Sequence, residues 1–228
     1  MSRVTVLLTP AAGEVPARAT AVVVDVLRAS TTLTVARRNG AREVLEAATP
    51  EEAFAHARGH PGALLCGERD GRKIPGFDLG NSPLEYGPET VGGRTLVFAS
   101  TNGSQALRRA ACARRRLLGA FVNADAVARA VADEPEVVIV CSGKLGRFCI
   151  EDAAFAGWLA ARLAAAGARV EGAAARLART LAPRDAAAVR ALLQGAAQGR
   201  HLRSLGPEYA ADLEFCAGLD RIGEAYDV

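Results

Sequence analysis

Short β-branched runs alternate with helical patterns along most of this chain, and that alternation leaves few folds open. Residues 4–8, 21–26, 43–46, 63–66, 94–99, 117–120 and 136–141 read as strands. Residues 30–39, closed by Gly40, read as a helix. So does a stretch opening with the capping box Thr49-Pro-Glu-Glu52 and running to about Arg58. Further helices are expected over 104–113, from an Asn123 cap to about Ala132, and over 151–166; beyond Gly172 the chain is Ala- and Arg-rich and mostly helical. Repeated strand–loop–helix units predict a three-layer α/β fold, with a mixed, largely parallel sheet and helices on both faces. We expect one domain over residues 1–228, mostly helical from about residue 171. The pattern does not decide whether the sheet divides into two lobes.

Between two strand candidates lies a stretch that no strand or helix period fits: Cys66 to Tyr86, rich in Gly and charge, with an Asn81-Ser-Pro turn. A polar loop of that length inside a compact domain is either functional or disordered. Ile74, Phe77 and Leu79 offer apolar anchors and argue for order. Of the 28 basic residues only Lys73 and Lys144 are lysines, and both fall in glycine loops. An ammonium is a compact point charge, not interchangeable with a guanidinium.

Ligands of such sheets bind beyond the carboxyl ends of the strands. Three strand ends lead into helices through small polar residues: Asp25-Val-Leu-Arg-Ala-Ser-Thr-Thr32, Ser100-Thr-Asn-Gly-Ser104 and Cys141-Ser-Gly-Lys-Leu-Gly-Arg147. Each is read either as plain capping or as an anion site built from free N–H groups and hydroxyls. Together they point to a polyanion, with Arg28, Arg69, Lys73, Lys144 and Arg147 as the cations that would meet it. Ser30, Thr31, Thr101, Asn102, Gly103, Ser142 and Gly143 complete the substrate-binding candidates.

Asp25 interrupts an apolar strand, and a buried carboxylate there needs an ionic partner or a metal. Arg28 is the internal ion-pair candidate. Glu151 and Asp152 open a helix, where acidic residues also serve as caps, and at most one of two consecutive helical residues faces a given site. Hard oxygen donors without a His or Cys cluster suit Mg2+ better than zinc. We therefore expect metal ligands among Asp25, Glu68, Asp78 and Asp152, and catalytic carboxylates in Asp25, Asp78 and Glu151. Asp70 is a further oxygen donor.

Other chemistries lose ground. Gly143-Lys144 lacks the remaining residues of a phosphate-binding P-loop, no G-x-S-x-G elbow is present, and the three histidines are scattered. Cys141 and Arg147 have the C-x5-R spacing of cysteine phosphatases, though no His precedes the Cys and Phe148 follows the Arg. That thiol nucleophile is one alternative; a non-catalytic anion-binding module is another. A net charge of +3 without a basic run gives no reason to expect nucleic acid. No apolar run approaches the roughly 20 residues of a membrane span, and five irregularly spaced cysteines with no signal-like N-terminus suggest a cytoplasmic, reduced protein. The Ala-rich C-terminal third would complete the α/β layer or form a homodimer surface.

Taken together, the loops resemble the 2-phosphosulfolactate phosphatase family of the coenzyme M pathway. The matching segments are Asp25–Thr32, Gly67-Glu-Arg, Pro75-Gly-Phe-Asp-Leu-Gly-Asn-Ser-Pro83, Ser100–Gly103, and Cys141-Ser-Gly143 through Glu151-Asp152. The tail from His201 through Leu205-Gly206 to Asp212 and Cys216 is similar as well. The resemblance implies a magnesium-dependent phosphohydrolase with an α/β fold that converts 2-phospho-3-sulfolactate to sulfolactate.

Overall fold

A computed structural model describes residues 2–228. The strands are β1 (Arg3–Leu7), β2 (Thr20–Val24), β3 (Glu43–Ala47), β4 (Leu64–Arg69), β5 (Arg72–Lys73), β6 (Thr95–Ala99), β7 (Arg115–Gly119), β8 (Glu136–Cys141) and β9 (Arg169–Val170). Between and after them run α1 (Ala29–Arg38), α2 (Pro50–Gly59), α3 (Pro88–Val91), α4 (Gly103–Arg109), α5 (Ala124–Val131) and α6 (Ile150–Ala165). The C-terminal helices are α7 (Gly172–Thr180), α8 (Ala186–Gly195), α9 (Ala197–Leu205) and α10 (Pro207–Cys216).

The strands divide between two sheets. One is wholly parallel, in the order β7-β2-β8-β1-β9; the other runs β3-β6-β4-β5, parallel except for the β4–β5 hairpin. The sequence dictates which strands are central. β2 (TAVVV), β6 (TLVFA) and β8 (EVVIVC) are buried at every residue, as strands covered on both faces must be. Phe121, Phe155, Leu159 and Leu163 pack with Val22, Val24 and Ile139 on one face of the five-stranded sheet. On its other face, Leu33 of α1 and Leu107 of α4 join Val23, Val138 and Val140 to Leu96 and Phe98 of the second sheet. A smaller cluster, with Ala53 of α2, Ile74, Phe77 and Val97, covers the second sheet's outer side. This is the three-layer α/β arrangement used twice, with α1 and α4 shared between the sheets.

Local signals account for several boundaries. At the start of α2 the Glu52 N–H donates to Thr49 Oγ1 (3.2 Å), while Glu52 Oε2 takes the Ala48 N–H (2.8 Å). Gly40 ends α1 in the left-handed region (φ 89°). The stretch 66–86 is more regular than its composition suggests. β4 runs on to Arg69 and folds back through Asp70-Gly71 into β5; both tip residues have positive φ, the geometry of a tight hairpin. Asn123 caps differently from expectation: its side chain accepts from the Ala120 N–H and donates to Leu118 O, tying the end of β7 rather than the helix amides. Near the C-terminus the Leu118 N–H donates to Tyr226 O and the Val228 N–H to Arg116 O, which covers the β7 edge. Among the described residues no helix is long and apolar enough to cross a membrane, and all five cysteines are unpaired.

Candidate active site

The carboxyl ends of β2, β4, β6 and β8 converge on a cavity of about 240 Å3. Asp25, Leu27 and Arg28 come from the β2–α1 turn, and Glu68, Asp70 and Gly71 from the hairpin. Thr101 and Asn102 follow β6, Lys144 and Leu145 follow β8, and Asn81 and Gln198 close the walls.

Four buried carboxylates organise this region. Asp25 is the residue after β2, with Oδ1 at 3.4 Å from the Ala29 N–H. Gly103 is pressed against it: a Cβ there would stand 2.9 Å from Asp25 Oδ2 and 2.7 Å from the Ala29 Cβ, so only glycine lets α4 approach so closely. Glu68 binds two backbone amides, Thr101 N–H through Oε1 (2.8 Å) and Gly71 N–H through Oε2 (2.7 Å). Asp152 takes the Val26 N–H on Oδ1 (2.9 Å), and the Ser142 Oγ–H and Gly143 N–H on Oδ2 (both 3.0 Å). Glu151 is buried beside Cys149, and its carboxyl is pushed up by burial despite the Lys144 ammonium.

Among the described residues Asp25 has no ion-pair partner. Arg28 does not pair with Asp25. Its guanidinium forms an ion pair with the buried Asp212 of α10, donates to Gly71 O (2.6 Å) and lies 5.2 Å from the Tyr209 ring centroid. Burial first, then the negative charge of Glu68, lift the Asp25 carboxyl to about 7; Glu151 adds to this, and hydrogen bonds to Ser142 and Ala29 oppose it. Asp152 is pushed well above the usual carboxylate range by burial and by the charges of Asp25 and Glu151.

The structure places several of the expected residues away from the cavity. The Ser30 hydroxyl donates to Gly119 O (2.7 Å) and accepts the Asp25 N–H, and the Thr31 hydroxyl donates to Val26 O (3.0 Å). Both are internal braces of the turn, buried away from the cavity. Asp78 is exposed, and its Oδ2 caps the Leu65 N–H (2.8 Å), so it stands apart from the carboxylate cluster. Arg69 spends its guanidinium on Glu68 O and Ala48 O. Lys73 is exposed on β5, with Nζ 3.4 Å from Asp78 O. Asp152 has three donors on its two oxygens and does not line the cavity; it clamps the β2 turn to the β8 loop. Ser142 and Gly143 are the other half of that clamp. Arg147 is exposed and lines an adjoining groove. Cys141 is fully buried in the core, where burial drives its thiol well above the ordinary range, which disfavours the thiolate a nucleophile needs. This weighs against the cysteine-phosphatase alternative.

Asn81, Gln198, Leu145 and Asp212 were not among the expected site residues; the fold brings them to the cavity or its wall. Asn81 had a signal, its place in the Gly80-Asn-Ser-Pro turn; Gln198 sits in an Ala-rich helix that carries none. Asn81 Oδ1 and Thr101 Oγ1 are buried at the cavity without a hydrogen-bond partner among the described residues. A buried acceptor left so costs about 1–3 kcal/mol, which a bound group can relieve.

This bears on a metal. Among the described residues no three His, Cys, Asp or Glu side chains converge as a ready-made cage. Mg2+ does not require one: it keeps several waters and is held by one or two carboxylates together with substrate phosphate. Asp25 and Glu68, with the orphaned Asn81 Oδ1, fit that thinner ligand set.

Fold and cavity together define an α/β protein with an acidic, oxygen-lined pocket at the carboxyl ends of its parallel strands. The chain belongs to the 2-phosphosulpholactate phosphatase family, whose model matches residues 6–224. It is similar to proteins named "Probable 2-phosphosulfolactate phosphatase". One from Symbiobacterium thermophilum is 42% identical over 214 residues, covering 92% of this chain and 91% of that protein. One from Deinococcus radiodurans is 50% identical over 151 residues, covering 64% of this chain and 62% of that protein. A third, from Caldanaerobacter subterraneus, is 45% identical over 139 residues, covering 60% of this chain and 58% of its own length.

Proposed function

We propose that the chain is a magnesium-dependent phosphoric monoester hydrolase whose substrate is a small anionic phosphate ester, 2-phospho-3-sulfolactate, released as sulfolactate and inorganic phosphate. The observation that carries this reading is the confrontation of Asp25 and Glu68 across a small cavity, with Asp25 lifted to about 7 and lacking an ion-pair partner among the described residues. A cavity that only captured an anion would gain nothing from that negative charge. The names carried by the relatives point the same way.

Asp25 and Glu68 would hold Mg2+, aided by Asn81 Oδ1. Once bound, the ion supplies charge neutralisation to the phosphoryl oxygens, the main requirement of a reaction governed by positioning and electrostatics. Lys144, oriented by a 2.6 Å bond from Nζ to Gln198 Oε1, meets the remaining anionic groups, and Arg28 lines the same wall. Glu151 lies within charge range of Asp25 and Lys144, and its raised affinity for protons suits it to take one from the attacking water. Water oxygen bonds to phosphorus, the ester P–O bond breaks, and the alcohol leaves with a proton. The unpaired cysteines support a reducing, cytoplasmic setting.

Phosphate release from 2-phospho-3-sulfolactate, assayed with Mg2+ and with excess EDTA, tests the reading. Release should require the metal. Turnover that survives EDTA would remove the metal from the mechanism, and no turnover in either condition would overturn the function. Cys141→Ala should retain activity within a few-fold while losing some stability from the core; a loss of a hundredfold or more in the folded variant would restore the thiol to the chemistry.

A further inference from the structure

The tip of the β4–β5 hairpin, Asp70-Gly71, is seated against α9. His201 of that helix places Nε2 3.2 Å from Asp70 O and 3.2 Å from Asp70 Oδ1. A carbonyl oxygen can only accept, so Nε2 carries the proton and donates to the tip. Gly71 belongs to the same contact. A Cβ there would stand 2.8 Å from Leu205 Cδ1, 3.5 Å from Leu202 Cδ2 and 3.7 Å from His201 Nε2. The tip thus lays bare backbone against the side chains of α9.

What the tip carries gives this contact a consequence. The Gly71 N–H donates to Glu68 Oε2 (2.7 Å), and Gly71 O accepts from Arg28 (2.6 Å). The other Glu68 oxygen is held by the Thr101 N–H. One of the two bonds that aim the Glu68 carboxylate therefore comes from the turn itself. The hairpin gives that turn little support: β5 is two residues long and exposed at both, and a short two-stranded pair is marginally stable alone. His201 does not line the cavity, so it acts on the site only through the tip.

Resting on the hydrolase reading above, in which Glu68 holds Mg2+, we propose that His201 is a positioning residue: it latches the hairpin tip to α9 and, through the Gly71 amide, keeps the Glu68 carboxylate aimed into the cavity. The C-terminal helices then build the site from two sides. Asp212 of α10 holds Arg28, and His201 of α9 holds the turn that Arg28 touches. Removing a group that directly orients a metal ligand lowers metal affinity by about 10- to 100-fold; His201 acts one step further out, so a loss of about five- to tenfold is expected.

Two variants separate this latch from plain packing. His201→Ala deletes the donor, and His201→Gln keeps an N–H at similar reach. In the metal-free protein, hydrogen exchange at the Gly71 amide should be about fivefold faster in His201→Ala, with the amides of β2 and β8 unchanged. In phosphate release from 2-phospho-3-sulfolactate, the Mg2+ concentration giving half the maximal rate should rise about five- to tenfold, while kcat at saturating Mg2+ stays within about twofold. His201→Gln should restore both quantities. Unchanged Gly71 exchange and Mg2+ requirement in His201→Ala would overturn the inference. So would faster exchange that extends to β2 and β8, the mark of a general loss of stability. A fall in kcat at saturating Mg2+ that glutamine does not rescue would place His201 in the chemistry, and the positioning role would be wrong. If the wild-type protein releases no phosphate, the hydrolase reading falls, and exchange at Gly71 alone decides whether the latch exists.

Discussion

Asp25→Asn should abolish phosphate release, by about a hundredfold or more, and should at the same time raise the melting temperature of the metal-free protein. The two effects have one cause. Folding carries Asp25 from its ordinary 3.8 to about 7, through burial and the nearby Glu68 charge. The folded state therefore binds more protons than the unfolded state between those values. Stability from this group is fully present below about pH 4 and is lost as pH rises through 7. A shift of about 3 units corresponds to about 4 kcal/mol at most. Asparagine keeps the shape without the charge, so a gain of about 2 kcal/mol at pH 8 is expected, some 4–8 °C for a chain of this length. Near pH 4 the gain should vanish. Thermal melts in EDTA at both pH values, beside phosphate assays, measure it. Asp78→Asn is the control that changes neither quantity. A melting temperature for Asp25→Asn that drops at pH 8 would mean the carboxylate is a structural brace and not a site group held at a cost in stability.

Removing Asp212 should be among the most destabilising single changes in the chain. Its side chain is ion-paired with Arg28 and accepts a hydrogen bond from the Ser82 hydroxyl, and both members of the ion pair are almost fully buried, at 3% and 2% exposure. Deleting one member of such a pair strands the other, at about 3–5 kcal/mol. We expect Asp212→Ala to lose that amount in urea unfolding, and to lose activity as well, because Arg28 lines the cavity. Ser82→Ala should cost about 1 kcal/mol, since the ion pair survives. An Asp212→Ala loss below 1 kcal/mol would show that Gly71 O and the Tyr209 ring satisfy Arg28 by themselves.

How legible this molecule was varied with the range of the interactions involved. The β-branched runs and caps located most elements to within a few residues, because those signals are local. The β4–β5 hairpin was missed because its turn, Asp70-Gly71, sits inside a polar stretch with no alternating pattern to read. The division into two sheets is set by which strands exchange hydrogen bonds across dozens of residues, and no periodicity records that. At the site, Asp25 stood out as a charge within an apolar strand and Glu68 as an oxygen donor in the odd loop. Ser30 and Thr31 looked like anion donors, yet their hydroxyls turn inward to carbonyls. Which way a hydroxyl points depends on the packing of α1 against β7, a tertiary fact. Arg28 finds its counter-ion 184 positions away, and nothing near Asp212 announces the pairing.

Asp25 rides on the five-stranded sheet and Glu68 on the four-stranded one, with α1 and α4 wedged between. Above about pH 7, where Asp25 is ionised, the two carboxylates repel each other across the cavity from different sheets, like a spring held loaded by the fold. A divalent ion seated between them would unload that spring. Chelation should then be felt mechanically as well as chemically: the amides of Thr101 and Gly71, tethered to Glu68, would exchange their hydrogens faster in EDTA than the amides of β2 and β8 deep within the first sheet.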